Sequence, residues 1–215
     1  TLSLKPTGVA PGDVTDKQFD AIADLADRYS FGEVRNSHNQ NIILADVEQA
    51  QLFTLWGELR ENGFATPNVG LLTDIICCPG GDFCSLANAK SIPIAEAIQR
   101  RFDDLDYLFD IGNIDLNISG CMNACGHHHV GHIGILGVDK KGQEFYQVSL
   151  GGSAGRDASL AQILGPSFAE ADMADVIDKI VKVYVERRTE EESFLDTFRR
   201  IGVDPFKERV YAANH

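Results

Sequence analysis

Apolar positions along the first third of the chain fall into short segments of different period. Residues 1–8 (TLSLKPTG) alternate and predict a strand that ends at Pro6 and Gly8. From position 15 the period lengthens: Phe19, Ile22, Ala23, Leu25, Ala26 and Tyr29 keep helical spacing. Thr15 and Gln18 stand where a capping box would close the first turn of that helix. Residues 33–47 (EVRNSHNQNIILADV) read as extended, either two strands or one long strand with a polar centre. Asp46 is placed to cap a second helix with Leu52, Leu55, Trp56 and Leu59 on its apolar face, and Gly63 suits the position just past its end. A compact βαββα unit over residues 1–65 follows, small but able to pack against a neighbour.

TPNVG (66–70) reads as the linker to a second unit, residues 66–215. LLTDIIC predicts a buried strand, and CPGGDFC must be a loop because Pro79, Gly80 and Gly81 punctuate it. A helix is expected from near Cys84 to about Phe102, broken or restarted at Pro93. LDYLFDIGNIDLNISGC reads as a further approach of loop and strand. HIGILGV and EFYQVSLGG read as strands joined by a turn around Lys140–Gly142. Met173, Val176, Ile177, Ile180, Val181 and Tyr184 mark an amphipathic helix over 172–188, and Phe194, Leu195 and Phe198 a last helix before Gly202. The expected class is α+β: the small βαββα unit, then a mixed-sheet α/β domain with C-terminal helices.

Composition narrows the function. The 215 residues carry 32 Asp and Glu against 19 Lys and Arg, a formal net charge of −13, which argues against nucleic acid as a partner. No apolar run is long enough to cross a membrane, and the start lacks the basic and apolar regions of an export signal, so a cytoplasmic location is expected. There is no initiator Met, which suggests a trimmed chain or a fragment.

All five cysteines, Cys77, Cys78, Cys84, Cys121 and Cys125, fall within 49 residues. Clustering in a chain of this size points to metal or catalysis rather than a disulfide scaffold. Five residues separate Cys78 from Cys84, and three separate Cys121 from Cys125. Four thiolates from two loops suit either a tetrahedral zinc or a cubane iron–sulfur cluster. Structural zinc favours two-residue knuckles, and neither pair is one; a cubane spreads its ligands over four irons. Gly80, Gly81, Gly120 and Gly126 would let backbone approach such a core.

CPGGDFC followed by GCMNACG resembles the paired signature of the sirohaem-dependent nitrite and sulfite reductases. HIGILG and FYQVSLGG are similar to that family's strands after the cluster. Residues 1–65 resemble its ferredoxin-like unit, with RNSHNQNIIL like the segment that faces the sirohaem. The resemblance implies a 4Fe-4S cluster on Cys78, Cys84, Cys121 and Cys125, with Cys125 also the axial ligand of the sirohaem iron. It implies cofactor contact by Asn39 and Gln40, and the position of Asn123 between two ligands fits turn chemistry beside the cofactor. Cys77, out of register by one, reads as a small buried residue.

The implied activity is the six-electron reduction of sulfite to sulfide, with nitrite to ammonia as the alternative. The implied electron donor is a flavoprotein or a ferredoxin. Such a substrate is an anion and needs cations, yet Arg100, Arg101, Lys140 and Lys141 lie far along the chain from the loops. The family's first half supplies those residues, so the catalytic groups are expected in an N-terminal half of the same polypeptide, and the chain alone should be inactive. Two readings compete: a zinc-stabilised binding module using Cys121, Cys125 and two of His127, His128, His129 and His132, and a haem-free electron-transfer domain. The histidines' own role stays open.

Overall fold

A computed structural model describes residues 1–212. The molecule is α+β and holds two hydrophobic clusters. The smaller is built from Leu2, Leu4, Ile22, Leu25, Ala26, Ile42, Leu44, Leu55 and Phe64. Helix α1 (Asp16–Tyr29) starts with the expected capping box, in which Thr15 and Gln18 satisfy each other's backbone N–H groups. Its buried face is Ile22, Leu25 and Ala26, while Phe19 stays exposed. Strands β1 (Val34–Asn36) and β2 (Ile42–Leu44) pair antiparallel. The polar centre of 33–47 is therefore a turn between two short strands.

Three expectations for this unit fail. Residues 1–8 form no strand; Leu2 exchanges a single pair of hydrogen bonds with Ile42. Asp46 caps nothing. A turn of 3₁₀ helix over Gln49–Gln51 precedes α2 (Leu52–Glu61), and Asp46 lies instead near Arg35. Leu55 is buried in α2, but Leu52 and Trp56 are exposed, with Trp56 beneath the Arg60 guanidinium. Gly63 ends the helix with φ +79°, as expected.

The larger cluster lies on a five-stranded mixed sheet, in the order β3 (Ile76–Cys77), β4 (Leu116–Ser119), β5 (Ile133–Lys140), β6 (Gln143–Leu150), β7 (Gln162–Ile163). β3, β4 and β5 are parallel; β6 and β7 continue antiparallel. Lys141 and Gly142, both with positive φ, turn β5 into β6, a geometry matched to strand twist. Helix α5 (Met173–Arg187) buries the six predicted residues and Val183 as well.

Other elements differ from expectation. LLTDIIC is mostly turn, and β3 keeps two residues. Leu72 and Ile75 are fully buried there all the same. The helix after Cys84 does not begin until α3 (Ile92–Arg101), because Pro93 suits a first turn and not an interior. Residues 105–111 form α4 (Leu105–Ile111), capped by the Asp104 carboxylate. Beyond α6 (Phe194–Ile201), Pro205 opens a further helix, α7 (Asp204–Tyr211). No described helix is long and apolar enough to cross a membrane.

Candidate metal centre

Parallel pairing of β3 and β4 delivers both cysteine loops to one place. Cys77 stands opposite Ile118, and Cys78 N–H donates to Ile118 O at 3.1 Å, carrying the ladder one residue further. Cys78 opens the first loop. Gly120 and Cys121 open the second. Gly120 N–H donates to Cys78 Sγ at 3.0 Å. Ser91 Oγ lies 3.7 Å from the same sulfur.

The loops are laced together beyond that point. Asn88 and Ala89 N–H groups both donate to Gly120 O, at 2.9 and 3.0 Å. The end of the first loop is tied to β6, with Lys90 N–H on Glu144 Oε2 (2.9 Å) and Tyr146 OH on Lys90 O (2.8 Å). Two glycines have no room for a side chain. A Cβ on Gly120 would lie 2.7 Å from Gly80 Cα, and one on Gly126 would lie 2.0 Å from Ile118 O.

All five thiols are free. Cys78 and Cys121 are buried at the strand ends; Cys84 is half-buried and Cys125 exposed, both on turns. Cys84 N–H bonds Gly80 O at 2.9 Å. The Cys121–Cys125 turn closes with Ala124 N–H on Cys121 O at 3.1 Å. Its left-handed residues are Ala124 and His127, not Asn123, which is exposed in the turn. Phe83 (81% exposed), Leu86 (72%) and Met122 (85%) stand out from the same two loops. Among the described residues no three or more His, Cys, Asp or Glu gather to hold a single metal ion. A four-iron core makes a different demand, since each thiolate meets its own iron. Four thiols on two abutting loops, with a backbone N–H on one sulfur and backbone-tight glycines beneath, fit that core.

Cys77 is buried, donates to Cys78 O at 3.2 Å, and has its thiol pKa pushed far up by burial. It behaves as core. The His132 ring binds backbone, while His128 Nδ1 is buried without a hydrogen-bond partner. His132 Nδ1 accepts from Asp115 N–H (3.1 Å) and its ring stacks on Phe194; burial pulls its pKa down. His128 lies in a 3₁₀ turn, and its pKa too is lowered, by burial and then by His129. His129 O accepts Ala161 N–H at 2.8 Å.

The polar run 37–41 faces the neighbouring unit. Gln40 donates from Nε2 to Cys77 O (2.9 Å) and accepts at Oε1 from Cys77 N–H (2.8 Å). Asn39 is exposed, and its carbonyl accepts from Lys5 Nζ. Asn41 Nδ2 donates to Asp74 Oδ1 at 2.9 Å. A cleft of about 430 Å³ opens beside them, lined in part by Gly12, Gln40, Cys77, Pro79 and Phe83. TPNVG is no loose linker: Asn68 is buried, taking Ser3 Oγ (2.6 Å) and donating to Lys5 O (3.0 Å). Sequence reasoning passed over Lys5, which is fully buried against Asp74 at 2.6 Å, and Lys90, a cation on the first loop itself. Burial lowers the Lys5 pKa, and Asp74 opposes that shift. A lone lysine in an alternating segment carries no sign of burial, so only the fold could reveal it.

Comparison with known proteins agrees with this architecture. Residues 70–214 match the nitrite and sulphite reductase 4Fe-4S domain, and residues 6–62 the nitrite/sulfite reductase ferredoxin-like half domain. A sulfite reductase [ferredoxin] of Mycobacterium tuberculosis is 31% identical over 95% of this chain and 39% of its own length. A ferredoxin–nitrite reductase of Synechococcus elongatus is 32% identical over 80% of this chain and 34% of its own. The structure of the Mycobacterium tuberculosis NirA protein superposes with a TM-score of 0.74 at 27% identity, covering 93% of this chain and 38% of that one. A dissimilatory sulfite reductase structure shares the fold alone, at 15% identity and a TM-score of 0.77. The chain thus spans about a third to two fifths of the length of the curated relatives it matches, and it belongs to the nitrite and sulphite reductase family.

Proposed function

We propose that the chain is the C-terminal half of a sirohaem-dependent sulfite reductase, divided into a ferredoxin-like unit (1–65) and a cluster-binding domain (66–215). The carrying observation is the Gly120 N–H on Cys78 Sγ, which joins the two cysteine loops within the segment matched to a 4Fe-4S domain. Cys78, Cys84, Cys121 and Cys125 would hold the cluster, and Cys125, the exposed one, would also help hold the sirohaem. When bound, cluster and sirohaem supply electrons singly to the substrate. The chain's own part is to hold the thiolates, bring N–H groups to them, and present Phe83, Leu86 and Met122 to whatever seals the site from water. Asn123 lies beside the cofactor on this reading, and Asn39 and Gln40 line its approach.

The substrate is sulfite, its donor a ferredoxin or a flavoprotein, and the remaining basic residues come from the N-terminal half of the polypeptide. A reducing compartment such as the cytoplasm suits five unpaired thiols. Nitrite is the second reading, because the nitrite reductase relative is as similar as the sulfite reductase one. The test is full-length protein purified without oxygen, assayed for iron, acid-labile sulfide and extracted sirohaem, then for sulfide or ammonia release with reduced methyl viologen. Cys125→Ser should lose both cofactors and Cys77→Ala neither; equal iron loss in the two would overturn the ligand assignment.

A further inference from the structure

We propose that Gln40 is a positioning residue for the Cys78 thiolate, acting from the ferredoxin-like unit by clamping the backbone of Cys77. The inference rests on Cys78 being a cluster ligand. In a strand, the N–H and C=O of one residue point to one edge and those of the next to the other. Cys78 N–H uses the β4 edge, on Ile118 O. Cys77 therefore presents both of its groups to the opposite edge, where no described strand pairs with β3. Gln40 fills that edge with a side chain. Its amide offers one donor and one acceptor at 2.9 and 2.8 Å, reproducing a rung of sheet. The strand end that launches Cys78 is gripped from both sides.

The grip is aimed by buried chemistry. Gln40 itself sits at φ +54°, a left-handed position that needs outside support. Ser37 Oγ accepts from Asn39 and Asn41 N–H at 3.2 and 3.0 Å. Lys5 Nζ bonds the Asn39 carbonyl and pairs with Asp74, which Asn41 also engages. Asp74 Oδ2 in turn accepts Gly70 N–H at 2.8 Å. The ion pair thus ties the Gln40 turn to the segment that feeds β3. Direct contact with a cofactor would compete with Cys77 for the same two atoms.

The test uses the full-length protein, with and without its cofactors. Gln40→Met keeps length and removes both hydrogen bonds; Gln40→Asn keeps the amide but falls short by one methylene and serves if the first variant misfolds. Amide exchange at Cys77 should speed by roughly threefold to tenfold, the scale of one lost hydrogen bond, while Ile135 and Val148 in the sheet centre stay as they were. In the cluster-bearing protein the midpoint potential and the electron paramagnetic resonance of the reduced cluster should shift. Unchanged Cys77 exchange, or a rise shared by the whole sheet, overturns the clamp; altered exchange with an unmoved potential and spectrum overturns the positioning role. A wild-type protein that never takes up iron would defeat the proposed function instead, and the exchange data would still decide the clamp.

Discussion

The two cysteines that open the loops and the two that close them are held by different physics. Cys78 and Cys121 follow the ends of adjacent parallel strands and are buried, and Cys78 N–H continues the ladder on Ile118 O. Cys84 and Cys125 stand on turns, more exposed, and each is held by local contacts: Cys84 by its bond to Gly80 O, and the Cys125 turn by bonds to Cys121 O and Ser119 Oγ. The first pair inherits its position from the core. The second depends on tight turns pressed against that core. On the proposed ligand set, two thiols are seated by the core and two by exposed turns.

That comparison breaks first at Gly126. A methyl there would meet Ile118 O, a backbone atom of β4 that cannot swing away, at 2.0 Å. Gly126→Ala should therefore destabilise the chain by at least about 3 kcal/mol, the range of severe core defects. Gly81→Ala on the other loop meets nothing nearer than 3.3 Å and should cost under about 1 kcal/mol. Urea midpoints of the two variants check this. Equal losses would mean that the second loop is not pressed on β4 as the structure has it.

Spacing made the four cysteines legible, but not how the chain would seat them. The capping box of Thr15 and Gln18, the turn at Lys141–Gly142 and the α5 stripe were local patterns, each decided within a few residues. The meeting of the loops depends on β3 pairing with β4 some forty positions away, and a two-residue strand leaves almost no periodic trace. Leu72 and Ile75 show the same limit. A buried apolar run reads alike as strand or turn, and here Asp74 decides for the turn by accepting Gly70 N–H and the Lys5 ammonium. Exposed Leu52 and Trp56 look like core in the pattern because helical spacing reports a face, not what covers it. Gln40 was legible as an unusual polar residue, while its partner, the backbone of Cys77, was not.

The second prediction sharpens the contrast by chemistry. In cofactor-free full-length protein, alkylation followed by mass spectrometry should label Cys125 first, Cys84 next, then Cys78 and Cys121, with Cys77 last. Raising the pH from 7 to 9 should not bring Cys77 into the reaction, because burial holds its thiol pKa far above the usual range and the reactive thiolate stays scarce. Labelling of Cys78 as fast as Cys125 would show that the strand end is open and that the two pairs do not differ.

The smallest effect lies inside the Cys121–Cys125 turn. Ala124 sits at φ +56°, where an L-residue with a Cβ loses roughly 1–2 kcal/mol relative to a right-handed conformation. Glycine removes that strain but brings back about 0.5–1 kcal/mol of unfolded-state entropy. Ala124→Gly should therefore be neutral or stabilising by up to about 1 kcal/mol, visible as a slightly raised urea midpoint with an unchanged slope. The sign carries the information. If the turn is held only by its hydrogen bond to Cys121 O, relieving the backbone helps. Ala124 is half-buried, so a loss of more than about 0.5 kcal/mol would instead show its methyl packing against the loop, a scale set by burying a CH₂ group. The Cys121–Cys125 turn would then be anchored to the core as the strand ends are, and the distinction between the two pairs would narrow to exposure alone.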